Sequence, residues 1–339
     1  MTDLLRTLQL ADLQDIPADR NAFLAALGGP SAILVPGRDG SRIRALTTLL
    51  HGNEPSGFRA VHRWLHERRV PAVDTLLIVA SVDAARAAPG FAHRMLPGRP
   101  DLNRCFLGPF DTPEARLAEE ILRLLRKAHP EAVIDVHNNT GHNPPYAVGV
   151  EPTNEALWLA GVFGDRFVWS HLHLGALMEA IPDIPSVTVE VGRSGDPAAD
   201  DVAYTGLEVY LHRERLFEPR SSEPPRVLVM PMRARLRPGV TLEIADAPVP
   251  DAHLTIRTDL DRHNFERVAA DTAIGWSPGH DLPLELIDET DRDRAADFFE
   301  LADGELRTRL PMVPIMITTD PVAAAGDCLF YIVREPDSG

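Results

Sequence analysis

The sequence predicts an α/β fold, a mixed sheet with parallel members flanked by helices, followed by a smaller, mostly-β C-terminal domain. Three observations carry this expectation. Up to residue 217, short apolar runs of strand type alternate with segments of helical periodicity. SSEPPR (Ser221–Arg226) is a polar, proline-bearing break, and beyond it short strand-like runs dominate. The 339 residues suit one large domain and one smaller one, placed at 1–222 and 223–339.

Taken in order, SAILVPG (Ser31–Gly37) and ALTTLLHGNE (Ala45–Glu54) are apolar runs that reach glycine, the second leading straight into a polar motif. From Pro55 to Arg69, Phe58, Val61, Trp64 and Leu65 recur at helical spacing, and Pro55 suits a first helical turn. TLLIVASV (Thr75–Val82) is β-branched and too short for a helix, so it reads as a buried strand. A loop rich in Pro, Gly and Arg follows. Thr112 to Ala128 opens with Thr, Pro and Glu and puts Leu117, Ile121, Leu124 and Leu125 on one face, the pattern of a capped amphipathic helix. AVIDVH (Ala132–His137) and SVTVEVG (Ser186–Gly192) read as strands, and Glu155–Phe163 and Asp200–Phe217 as helices. In the C-terminal domain VLVMPM, GVTLEI, HLTIRT, LPLELI, VPIMITT and CLFYIV are strand candidates, while DETDRDRAAD (Asp288–Asp297) reads as a solvated loop or helix start.

Composition narrows the function classes. A hydrophobic share of 44% and a charged share of 25% are ordinary globular usage. Asp and Glu number 50 against 34 Lys and Arg, a net charge of -16, which argues against a phosphate-binding surface and so against nucleic acid as a partner. Net charge does not fix the sign of a small substrate, because a local arginine pocket dominates within a Debye length of about 8 to 10 Å. Cys105 and Cys328 are far apart and form no metal knuckle or disulfide framework. The N-terminal MTDLLRTLQLADLQD lacks the basic start and apolar run of a signal peptide. No stretch approaches the roughly 18 apolar residues of a membrane span. The expectation is a cytoplasmic protein with no membrane partner, and a homo-oligomer is compatible with the sequence.

The strongest chemical signal is HGNEPSG (His51–Gly57), where His51 and Glu54 stand three apart between a strand and a helix, so one turn of backbone can aim both at one point. Zinc takes imidazole nitrogen and carboxylate oxygen at about 2.0 to 2.2 Å, and a catalytic site uses three protein ligands plus water. An HxxE pair supplies two. His137, at the carboxyl end of IDVH, is the candidate third, the bland alternative being a strand-end histidine satisfied by neighbouring amides. Asp135 shares its strand face. Glu190 sits between Val189 and Val191 in an apolar strand, where a carboxylate is rare unless it is functional or held in a structural ion pair. DLNRCF (Asp101–Phe106) concentrates amide and guanidinium groups, and arginine can grip a carboxylate through two parallel bonds, although a lone loop arginine is more often solvated. His171 and His173 alternate with leucines in SHLHLG and could form a second metal site, whereas His142 reads as a loop or pocket-lining residue.

In order and approximate spacing, HGNEPSG, DLNRCF, IDVHNNTG and TVEVG resemble the aspartoacylase/succinylglutamate desuccinylase family, a branch of the zinc carboxypeptidase superfamily. The motifs span Ala45 to Gly192. The resemblance implies a zinc-carboxypeptidase-like mixed sheet, one Zn2+ per chain on His51, Glu54 and His137, and Glu190 as general base and later acid. It implies that Asn103 and Arg104 bind the carboxylate of a small N-acyl substrate, and that an arginine shortly before them polarises the scissile carbonyl. Arg94 is the choice for that role and Arg99 the alternative. The reaction implied is deacylation, hydrolysis of the amide of a small N-acylated amino acid or amine. The competing readings are a zinc carboxypeptidase acting on short peptides and a non-catalytic binding protein. Two departures bear on specificity: Met178, Glu179 and Ala180 stand where relatives carry an arginine, and no tyrosine follows VPIMITT until Tyr331. Both point away from N-acetylaspartate and N-succinylglutamate, and Glu179 is the acid nearest to hand for a substrate amine.

Overall fold

The computed structural model describes residues 4–13, 15–218, 223–326 and 328–334. It divides into two compact units, one made of 1–138, 145–167 and 173–226 and the other of 139–144, 168–172 and 227–339. Ser221 and Ser222, at the expected break, lie outside the described residues.

In the first unit the strands are β1 (Arg6–Gln9), β2 (Ser31–Val35), β3 (Asp39–Thr48), β4 (Val73–Val79), β5 (Val133–Asn139), β6 (Tyr146–Gly149), β7 (Arg166–Ser170), which runs on into the second unit, and β8 (Ser186–Arg193). Their order is β1-β2-β4-β3-β5-β8-β6. Strand β3 lies parallel to both β4 and β5, whereas β2–β4 and β6–β8 are antiparallel, so the sheet is mixed. Its helices are α1 (Arg20–Leu27), α2 (Ser56–His66), α3 (Val82–Arg86), α4 (Pro113–Ala128), α5 (Asn154–Ala160) and α6 (Pro197–His212).

The helical periodicities land where expected. Phe58, Val61, Trp64 and Leu65 of α2 are buried, and Thr112 caps α4 by accepting from the Ala115 N–H, with Pro113 in the first turn. One core of this unit packs Leu117, Ile121, Leu122 and Leu125 of α4 against Ala45, Leu76, Ile78 and Val133 of the sheet. Helix α6 starts earlier than its apolar pattern suggests, because Asp196 caps it and Pro197 opens its first turn, and it ends at His212. Val82 belongs to α3 and not to the preceding strand.

The second unit is β-rich. It contains β9 (Arg226–Leu236), whose first residue belongs to the other unit, β10 (Leu242–Ile244), β11 (Leu254–Ile256), β12 (Ala273–Trp276), β13 (Leu284–Asp288), β14 (Phe299–Ala302), β15 (Glu305–Thr308), β16 (Val313–Ile315) and β17 (Phe330–Arg334). Five of these form a sheet ordered β10-β11-β12-β15-β14, and β9 pairs antiparallel with both β13 and β17. Its own core gathers Leu254, Ile274, Leu286, Phe299 and Phe330. Strands β12, β14 and β15 are four residues long each, too short to stand out in the sequence. Among the described residues no helix is long and apolar enough to cross a membrane.

Candidate active site

Strand β3 leads to His51 through a strained exit: Leu49, immediately after it, adopts φ 54°, a left-handed conformation that costs a leucine energy and turns the chain sharply before His51. The glycines that flank the motif answer close approach. A Cβ on Gly52 would meet the Ala85 nitrogen at 2.6 Å and the His93 carbonyl oxygen at 2.7 Å, and one on Gly57 would meet Thr48 Oγ1 at 2.4 Å and Val136 Cβ at 2.8 Å. The start of α2 is therefore pressed onto β3 and β5, which brings Glu54 to His137. Asn138 locks the arrangement: its side chain accepts from the Ser56 N–H and donates to Ser56 Oγ and the Gly192 carbonyl, while its own N–H donates to Glu54 Oε2.

The trio His51, Glu54 and His137 is buried, and one donor atom from each lies within 4.8 Å of the others. Nδ1 of His51 faces Glu54 Oε1 at 2.8 Å, and Nδ1 of His137 faces Glu54 Oε2 at 2.6 Å. Each imidazole turns its far nitrogen to another carboxylate, Nε2 of His51 to Asp101 Oδ1 at 3.0 Å and Nε2 of His137 to Asp135 Oδ2 at 2.7 Å. Thr47 donates to the remaining oxygen of Asp135 at 2.6 Å. A far nitrogen that donates to a carboxylate leaves Nδ1 with its lone pair inward, the tautomer a metal ligand needs. The donor set thus fits a divalent cation. Electrostatics agree. Burial alone would raise Glu54, but His51 and His137 outweigh it and hold the carboxyl well below its ordinary range. Burial opposes charge on His137, yet Asp135 and Glu54 outweigh that too and raise it well above its ordinary value.

Glu190 projects from β8 opposite Tyr146 of β6, and its Oε2 is buried without a hydrogen-bond partner. Burial pushes its carboxyl up to about 7, with the charges of His137, Glu54, His51 and Arg94 close enough to act on it. Asn103 is buried with its side-chain oxygen accepting from the Leu177 N–H, which leaves its amide N–H groups as the polar contact it can offer. Arg104 donates to the Asn103 carbonyl at 2.9 Å. The two candidate arginines part company here. Arg94 donates through Nε and Nη2 to Asp101 Oδ2 and places Nη1 3.5 Å from Glu54 Oε1, whereas Arg99 is more exposed and lies 3.5 Å from Glu114.

Among the described residues no second cluster joins the trio. His171 stacks edge-on with Trp169, and His142 pairs with Asp261 at 2.8 Å. Glu179 has a structural part as well. Its carboxylate accepts from the backbone N–H groups of Leu174, Gly175 and Ala176, so it holds the preceding loop as well as standing near the position where relatives carry an arginine. Sequence reasoning also gave Asp101 and Asn138 no part in the site. The available signal was position alone, Asp101 opening DLNR and Asn138 following the strand-end histidine.

Residues 44–207, just under half of the chain, match the model of the succinylglutamate desuccinylase/aspartoacylase catalytic domain. This is the family that the four sequence motifs resemble. The deacylases of that family hydrolyse amide bonds. No curated protein matches in sequence. Solved structures share the fold at low identity. Succinylglutamate desuccinylase from Vibrio cholerae is 14% identical, with 94% of this chain and 95% of that one covered at a TM-score of 0.59. The product-bound ectoine utilization protein EutE (DoeB) from Ruegeria pomeroyi is 19% identical, with 88% and 87% covered at 0.57. Murine aminoacylase 3 is 17% identical, with 88% and 96% covered at 0.53.

The raised Glu190 carboxyl has a consequence for stability. A group whose folded value lies above its ordinary 4.5 stabilises the fold in its neutral form, fully at pH below 4.5, and loses that contribution as pH rises through about 7. Metal-free Glu190→Gln should therefore melt a few degrees above metal-free wild type at pH 8 and level with it near pH 5, by thermal denaturation followed by circular dichroism. A wild type that melts higher at pH 8 would contradict the burial argument.

Proposed function

We propose that this protein is a zinc-dependent amidohydrolase that removes the acyl group from a small N-acylated amino acid or amine, with residues 1–222 carrying catalysis and 223–339 forming the β-rich C-terminal domain. The observation that carries this reading is the unpartnered Oε2 of Glu190, buried within electrostatic reach of a His–Glu–His trio. Zinc fits a set of two imidazoles and one carboxylate, and when bound it acidifies a water and polarises a carbonyl. Glu190 takes the proton of the attacking water at Oε2 and returns it to the departing nitrogen, tasks suited to a carboxyl that titrates near neutrality. Arg94 offers Nη1 to the oxyanion that develops on the scissile carbonyl. Asn103 and Arg104 hold the carboxylate of the amino-acid moiety.

The absence of an arginine at 178–180 sets the specificity expected. A charge-assisted hydrogen bond contributes about 1.5 to 3 kcal/mol, so N-acetylaspartate and N-succinylglutamate should lie roughly ten- to a hundredfold in kcat/KM below the preferred substrate. The test is a panel of N-acetyl and N-succinyl amino acids, acylated diamines and dipeptides, assayed side by side at saturating zinc. Cleavage of one N-acyl compound at about 10⁴ M⁻¹s⁻¹ or more is the expected outcome. Turnover confined to peptides would make the protein a carboxypeptidase, and turnover of nothing would leave a binding protein.

A further inference from the structure

Asp101 lies outside the trio and was given no role in the reaction above, yet its two oxygens hold different parts of it. Oδ1 accepts from His51 Nε2 at 3.0 Å and from the Asn103 N–H at 2.8 Å. Oδ2 accepts from Arg94 Nε at 3.0 Å and Nη2 at 2.8 Å. The side chain is 13% exposed, so these bonds are little screened, and the Cys105 thiol donates to the Asp101 carbonyl and fixes its backbone. Asp135 offers a contrast within the same site: its two oxygens hold Thr47 and His137.

We propose that Asp101 is a positioning residue that couples the metal ligand His51 to the oxyanion-binding Arg94 through one carboxylate. The inference rests on the metallohydrolase reading. One oxygen keeps the His51 Nδ1 lone pair turned inward, while the other aims Arg94 so that Nη1 lies beside Glu54. Displacing either partner disturbs the group that holds the other.

Asparagine makes the test sharp. In Asp101→Asn the amide oxygen stays on the side of His51 and Asn103, where two donors converge, and the amide nitrogen then meets the donors of Arg94, which it cannot accept. The variant should therefore resemble loss of Arg94. Asp101→Asn and Arg94→Met are each expected to lower kcat/KM by about a hundredfold or more. The double variant should fall no more than about threefold below the weaker single one, because both changes remove the same contact. Asp135→Asn with Arg94→Met should multiply instead. Full multiplication in the Asp101 cycle would overturn the proposal.

A second readout needs no turnover. A neutral amide oxygen holds the His51 N–H less firmly than a carboxylate, so Asp101→Asn should weaken zinc binding about tenfold or more by chelator competition. Binding within twofold of wild type would overturn the proposal even if the panel above finds no substrate, so this failure and that of the functional reading are told apart. Asparagine still accepts from the Asn103 N–H, which preserves the local turn. Should it nevertheless fail to fold, Asp101→Ser, which keeps a short acceptor but cannot reach Arg94, carries both measurements.

Discussion

Replacing Glu190 with glutamine is expected to leave fold and zinc content intact while turnover falls by about 10² to 10⁴. Glutamine fills nearly the same space between Val189 and Val191, and Glu190 is not one of the trio, so neither the packing of β8 nor the donor set changes. What changes is the proton. The amide cannot take one from water or give one to a leaving nitrogen, and no other described carboxylate combines burial with an unpartnered oxygen at this place, since Glu54, Asp101 and Asp135 are all engaged. Steady-state kinetics on the best substrate of the panel, with zinc measured on the same preparation, decide the matter. Activity within about threefold of wild type would remove Glu190 from its role.

The site was legible in the sequence wherever chemistry and chain geometry coincide. His51 and Glu54 are three residues apart at a strand-to-helix turn, and His137 and Glu190 stand on strands otherwise built of apolar residues, so their types were conspicuous against their surroundings. The structure brings the first three together within 4.8 Å. The supporting groups were harder to read because their role depends on contacts remote in sequence: Asp101 meets His51 across 50 positions and Asn138 meets Ser56 across 82. The backbone bonds of Glu179 were hidden for a related reason, as an acid in a loop does not show in sequence which N–H groups it caps. In the fold, α2, α4 and the central strands announced themselves by periodicity, whereas β1, β6 and β7 are segments of four or five residues with little pattern to detect. Helix α1 was missed although Asp19 caps it and Gly28 ends it in the left-handed region, punctuation easily passed over beside a low hydrophobic contrast.

Metal removal is expected to abolish hydrolysis, and the intact protein should bind about one zinc per chain. Nδ1 of both imidazoles faces Glu54, so a cation must displace any proton held there. Zinc that binds the folded state alone should stabilise it by about 2.7 kcal/mol when free zinc exceeds its dissociation constant a hundredfold. Chelation should therefore lower the melting temperature as well as erase activity, and added zinc should restore both. In His51→Ala two donors remain, Glu54 and His137, and Asp101 loses the N–H it held. Zinc affinity should then fall by more than the tenfold to hundredfold cost of losing an outer hydrogen bond. Equilibrium dialysis followed by metal analysis gives the stoichiometry directly. A His51→Ala protein that retains a full equivalent of zinc would place the metal on other residues and would take the proposed roles of Glu190 and Arg94 with it.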